Sequence, residues 1–178
     1  LVPSWAMSGG DSAFRRRLDT PTVRDSIVRG IIDNILNDRG GGDLARVQFS
    51  RLSWDTSLEG KTLKDWAVRR GLDPTPANGA ELVIEAMQKG GGNAIYHVLD
   101  EQDVRRIMQH PQTMIASDGR LSTPGDGHPH PRAYGTFPRV LGEYVRRQQL
   151  LSLPAAIHKM TQMPARRLGL ADRGVLRI

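Results

Sequence analysis

Short apolar runs alternate along this chain with stretches in which apolar residues recur at helical spacing, and this alternation restricts the fold more than any other feature. The runs are Ala45–Leu52, where Val47, Phe49 and Leu52 stand among polar residues, then Ala94–Leu99 and Thr113–Ala116. Between them the helical pattern is well punctuated. Thr20 suits an N-cap and Pro21 the first helical position, where a missing N–H costs nothing. Val23, Ile27, Ile31, Ile32, Ile35 and Leu36 then share a face, until Gly40-Gly41-Gly42 stops the helix. Gly60-Lys61-Thr62 lacks the upstream Gly of a phosphate loop, since Asp55 stands there; it reads as a turn before a helix over Leu63–Arg70. Asn78 and Glu81 predict a capping-box start, followed by a stripe of Leu82, Val83, Ala86 and Met87 that ends at Gly90-Gly91-Gly92. Asp100 caps a helix with Val104, Ile107 and Met108 inward, and His110-Pro111 ends it. Pro138–Gln149 is predicted helical, with Val140, Leu141, Tyr144 and Val145 inward. A helix from Ser152 through Met163 follows, with Ile157 and Met160 inward, and then a last turn over Ala165–Leu168. This order predicts α/β units with parallel strands. The strands are too few for a closed eight-stranded barrel, which takes about 250 residues.

Composition narrows the function. The 178 residues carry 25 Lys plus Arg against 19 Asp plus Glu, a formal charge of +6. The sequence pI of 10.3 invites a nucleic-acid reading. The basic pairs, however, lie on predicted helices among acidic residues, and only 5% of residues are aromatic, too few for a base-stacking platform. No nucleic-acid partner is expected. The absence of Cys excludes a disulfide scaffold, a zinc ribbon and a thiol nucleophile. No apolar run reaches the roughly 18 residues of a membrane span, and Leu1-Val2-Pro3-Ser4-Trp5 does not read as a signal peptide. The expectation is a single region over 1–178, cytoplasmic and without a membrane partner.

In parallel α/β folds functional groups collect where strands end. Asp118 stands there, between Ser117 and Gly119, after the apolar run 113–116 and before a Gly-, Pro- and His-rich stretch over 120–136. A carboxylate so placed can ligate a metal or move a proton; Asp-Gly is also a common turn pair. In His128-Pro129-His130-Pro131-Arg132, the two His can bind a metal on extended backbone or form a solvated stiff loop. Arg132 offers a rigid fork for a carboxylate, or serves as an ordinary surface residue. His97 reads as a core histidine, His110 and His158 as helix residues, and Trp5, Trp54 and Trp66 as packing.

Together these segments carry a family likeness. Thr113-Met114-Ile115-Ala116-Ser117-Asp118-Gly119, the His128–Arg132 run and Tyr134-Gly135-Thr136-Phe137-Pro138-Arg139-Val140-Leu141-Gly142 resemble the C-terminal barrel region of the N-acyl-D-amino-acid deacylases, or D-aminoacylases, of the amidohydrolase superfamily. The tail resembles it too: Leu151-Ser152-Leu153, Lys159-Met160-Thr161, Pro164-Ala165, Arg167-Leu168-Gly169-Leu170 and Asp172-Arg173-Gly174. The likeness is strong from about Asp100 to Ile178 and weaker upstream.

The resemblance implies an α/β fold class: a partial (β/α)8 TIM barrel of the metal-dependent hydrolase kind, helix-rich and C-terminal. It implies hydrolysis of the amide bond of N-acyl-D-amino acids with Zn2+ at the barrel mouth. Asp118 matches the aspartate that shuttles the proton and touches the metal, and Arg132 matches the arginine that binds the substrate carboxylate. The family's other metal ligands, its N-terminal barrel half and its β-sandwich have no counterpart in these residues, and the 118–132 loop is slightly long. The piece alone is therefore expected to be inactive. It is also expected to form a homo-oligomer or to associate with the missing barrel segments. The alternatives are a cyclic-amide hydrolase of the dihydroorotase or hydantoinase kind, and a non-catalytic scaffold or partner-binding module.

Overall fold

Val47–Arg51 forms strand β1 in the computed structural model, which describes residues 1–123 and 125–176, and β1 is paired along both edges. On one side lies strand β2, Asn93–Tyr96, with Val47 opposite Tyr96, Gln48 opposite Ile95 and Phe49 opposite Ala94, and a bulge before Arg51. On the other side Phe49 N–H donates to Lys61 C=O at 2.8 Å and its carbonyl accepts from Gly60 N–H at 2.8 Å. The strands are antiparallel, which corrects the parallel arrangement that the alternation predicted. Gly90 and Gly91, with φ of +112° and +71°, a region open to glycine, link the preceding helix to β2.

The strands belong to the first of two units, Leu1–Val98 together with 125–129. Around them pack α1 (Ser4–Met7), α2 (Gly10–Leu18), α3 (Pro21–Asp33), α4 (Leu63–Arg69) and α5 (Pro76–Gln88). Ile27, Ile31 and Ile35 recur one turn apart and are fully buried, the last in a π-helical turn over Asn34–Asp38 that follows α3. Leu36, expected on the same face, is exposed. These isoleucines join Phe14, Leu44, Val47, Phe49, Leu63, Trp66 and Leu82 in one core. Each such side chain contributes roughly 1.5–3 kcal/mol by leaving water. Trp66 lies edge-on to Phe49 at 5.9 Å and 5.3 Å from Trp54, whose indole N–H donates to Gly91 C=O. Those two tryptophans pack as expected, whereas Trp5 is about half exposed.

Helix starts follow local chemistry. Thr62 and Asp65 cap α4 reciprocally: Thr62 Oγ1 accepts from Asp65 N–H at 3.1 Å, and the Asp65 carboxylate accepts from Thr62 N–H at 2.7 Å. The start predicted at Asn78 lies earlier. Thr75 Oγ1 accepts from Asn78 N–H and Pro76 occupies the first turn, so the proline sets the boundary.

The second unit comprises 99–123 and 130–176. It contains α6 (Glu101–Gln109), α7 (Arg132–Arg139) running into a π-helical segment over Val140–Arg147, α8 (Leu153–Met160) and α9 (Gln162–Arg167). Its buried set is small: Val140, Tyr144, Ala156, Lys159 and Ala165. Ile107, expected inward on α6, is 59% exposed, and Ile157 is exposed on α8. The helix expected from 152 to 163 breaks at Thr161 (φ −128°, ψ −75°), so Pro164 sits inside the short α9. Thr113–Ala116 is not a strand. A strand needs lateral partners for its N–H and C=O groups, and the backbone bond found here runs from Ile115 N–H to Lys159 C=O. Helix α7 begins at Arg132, six positions before the predicted Pro138, and so takes up the end of the stretch expected to be loop; Pro124 within that stretch lies outside the described residues. No helix among the described residues is long and apolar enough to cross a membrane.

Thr62→Ala is expected to lower stability by about 1 kcal/mol in urea unfolding. The Thr62 backbone and hydroxyl bonds hold the Asp65 carboxyl below its ordinary value, and Lys89 and then Arg70 do the same for Glu85. A carboxyl depressed in the folded state contributes stability above its unfolded pKa of roughly 4, and that contribution is lost as pH falls through the folded value. Melting temperature is therefore expected to fall on acidification below about pH 4, and Asp65→Asn to flatten that fall. An unchanged acid limb in the variant would remove Asp65 from this role.

Candidate functional site

The segment from His110 to Gly119 carries the first candidate residue and is held from α8. Lys159 is 5% exposed, and its ammonium donates to the carbonyl of His110, to that of Thr113 at 3.0 Å and to Thr113 Oγ1 at 3.3 Å. Its own carbonyl accepts from Ile115 N–H. Burial holds this ammonium below the usual lysine range. No carboxylate is among these partners, so main-chain and hydroxyl oxygens carry the charge. In the sequence Lys159 stood out only within the Lys159-Met160-Thr161 segment of the family resemblance, with nothing to mark its role.

Beyond this anchor lies Ser117-Asp118-Gly119, which is not a turn. Ser117 Oγ accepts from Gly119 N–H at 3.1 Å, so the serine rather than the aspartate makes the local bond. The Asp118 side chain is 77% exposed, and its Oδ1 lies 3.0 Å from Arg132 Nε. The structure thus brings the two singled-out residues into contact. Arg132, expected on an extended loop, instead opens α7: the Pro131 carbonyl begins the first turn, and Arg132 N–H donates to His130 Nδ1 at 3.1 Å. Its guanidinium projects from a helix, and that fixes the base of the side chain more firmly than a loop would.

The histidines do not assemble. Among the described residues no group of three or more His, Cys, Asp or Glu is arranged to hold a metal ion. His128 belongs to the first unit, where its N–H donates to Ser50 C=O, whereas His130 belongs to the second. His97, expected in the core, is exposed; β2 ends at Tyr96, and the imidazole Nε2 lies 3.0 Å from Gln48 Oε1. Sequence reasoning passed over Ser117 and Thr136, which border the Asp118–Arg132 contact. The position of Thr136 one helical turn after Arg132 was the available signal, once a helix start at Arg132 is known.

Comparison with known proteins adds the following. A model described as the amidohydrolase family matches residues 33–178. An N-acyl-D-aspartate deacylase of Alcaligenes xylosoxydans xylosoxydans is 55% identical over 139 residues, covering 76% of this chain and 26% of the relative. An N-acyl-D-glutamate deacylase of the same organism is 46% identical over 131 residues, covering 72% and 25%. The crystal structure of the N-acyl-D-glutamate deacylase of Bordetella bronchiseptica, complexed with zinc and a phosphonate mimic of the tetrahedral intermediate, aligns with a TM-score of 0.63 at 37% identity. That alignment covers 83% of this chain and 27% of that one. The chain spans about a quarter of the length of the curated relatives it matches.

Lys159→Met keeps the stem of the side chain and removes its donors, leaving the His110 and Thr113 carbonyls without them. A loss of about 1–3 kcal/mol is expected in chemical denaturation. A loss under about 0.5 kcal/mol, the size of an ordinary surface substitution, would show that those oxygens find water instead.

Proposed function

This chain belongs to the amidohydrolase family, and from that premise we propose that it supplies the C-terminal part of a partial (β/α)8 barrel in an enzyme that hydrolyses the amide bond of N-acyl-D-amino acids. The observation that carries the reading is the contact between Asp118 and Arg132, at 3.0 Å. In this reading Asp118 is the proton shuttle. It takes a proton from the attacking water and returns it to the leaving amine, a task that suits a carboxylate exposed at the end of a held segment. Arg132 is the clamp for the substrate carboxylate. Its present contact uses Nε, and the terminal guanidinium nitrogens provide the bidentate fork that matches a carboxylate. The two roles need adjacent groups, because the α-carboxylate of an N-acyl amino acid lies one carbon from the amide nitrogen that must be protonated.

The relatives and the zinc-bound neighbour support a metal-dependent reaction. The described residues of this chain do not by themselves fit a metal ion: Asp118 offers one carboxylate, and no three potential ligands converge. A Zn2+ site therefore needs donors from other segments, and Asp118 is the residue here that would reach it.

The test uses a longer enzyme that carries this chain. Asp118→Asn is expected to lower kcat by about 10²–10⁴-fold; a near-normal kcat would end the shuttle assignment. Arg132→Ala is expected to raise KM for N-acyl-D-amino acids far more than for amide analogues without the carboxylate. Equal losses on both would end the clamp assignment. The isolated 178 residues are expected to release no free D-amino acid above a metal-free control.

A further inference from the structure

The contact between Asp118 and Arg132 joins residues far apart in the chain, and its exposed ion pair cannot hold it. An ion pair with side chains 77% and 47% exposed contributes on the order of 0–1 kcal/mol. Hydroxyl contacts of Ser117 and Thr136 flank it. We propose that the Ser117 and Thr136 hydroxyls form a latch that positions the Asp118 carboxylate against the Arg132 guanidinium; the functional weight of this proposal rests on the roles assigned above.

Three observations converge on one atom, the Arg132 carbonyl oxygen, and a fourth links the two hydroxyls that reach it. Ser117 Oγ lies 3.4 Å from it and Thr136 Oγ1 3.3 Å from it. The two hydroxyls are 3.1 Å apart. Gly119 approaches so closely that a Cβ there would sit 2.5 Å from the same oxygen and 3.0 Å from its carbon. Only glycine fits that approach.

The bonding capacity of Ser117 is then fully used. Its oxygen accepts from Gly119 N–H and from the Thr136 hydroxyl, and its own hydrogen points to the Arg132 carbonyl. Asp118 lies between Ser117, which is bonded to the Arg132 carbonyl, and Gly119, which packs closely against it. On the Arg132 side, the N–H donates to His130 Nδ1 while the carbonyl receives the latch. With both backbones placed, the side-chain torsions of Asp118 and Arg132 are the remaining freedom of the 3.0 Å contact. Thr136 touches neither reacting group in this scheme and is a positioning residue.

The test reads the contact itself and requires no turnover. In the 15N-labelled 178-residue chain, the Arg132 Nε–Hε cross-peak reports its ion pair with Asp118 through the rate of exchange with water; Asp118→Asn gives the unpaired reference. Thr136→Val is nearly isosteric and removes the hydroxyl. It is expected to raise that exchange rate about fivefold, the size of one hydrogen bond, while the chain still unfolds cooperatively. Thr136→Ser is expected to restore the wild-type rate. Ser117→Ala is expected to match Thr136→Val, and the double variant to add nothing further, because the two hydroxyls act as one unit. Wild-type exchange in both single variants, or failure of Thr136→Ser to restore it, overturns the latch. Should the valine variant unfold, Ser117→Ala decides alone. Failure of the deacylase reading appears in the kinetic assays and leaves these exchange rates unmoved.

Discussion

The approach of the Gly119 backbone to the Arg132 carbonyl is the constraint on which the second unit's chemistry depends. It leaves no room for a Cβ. With the two main chains touching, a serine and a threonine hydroxyl can reach across, and an aspartate and an arginine can meet above them. The order of cause runs from backbone contact to hydroxyl bonds to ion pair. Water screens the last of these, and exposed charged groups can exchange one partner for another at little cost.

The two units differ in how they are stabilised. The first buries a continuous apolar core around β1, with aromatic contacts between Phe49, Trp66 and Trp54. The second buries few apolar side chains and relies more on polar anchoring: Asp100 caps α6, Ser152 caps α8, the Tyr144 hydroxyl donates to Glu101, and Lys159 spans the 110–113 carbonyls. Exposed Ile107, Leu121, Leu153 and Leu168 show how much apolar surface the second unit leaves uncovered.

What was legible in the sequence was local. Asp100 and Ser152 announced helix starts because a capping side chain bonds within three residues of itself, and Ile27, Ile31 and Ile35 announced a buried face through periodicity alone. What depends on distant partners was not legible. β1 and β2 were placed but not their direction, because strand pairing is decided across more than forty residues of intervening chain. The run 113–116 has a strand's composition without a strand's neighbours. In the candidate site, Asp118 and Arg132 were legible from residue type and family resemblance. Ser117 and Thr136 were not, since their meaning appears only when α7 is known to start at Arg132. Lys159 looked like any helical lysine, because its acceptors include main-chain atoms that no side-chain pattern reveals.

That choice of acceptors makes the anchor unusually tolerant on one side and intolerant on the other. Carbonyl oxygens are common to every amino acid, so residue 110 could change identity and still present the same oxygen to the ammonium; at residue 113 only the extra hydroxyl would be forfeited. Position 159 has no such latitude. Its partners are fixed in the peptide framework, and replacing them would mean moving the chain itself. Part of the information that holds the segment leading to Asp118 is thus written at one codon some forty places downstream.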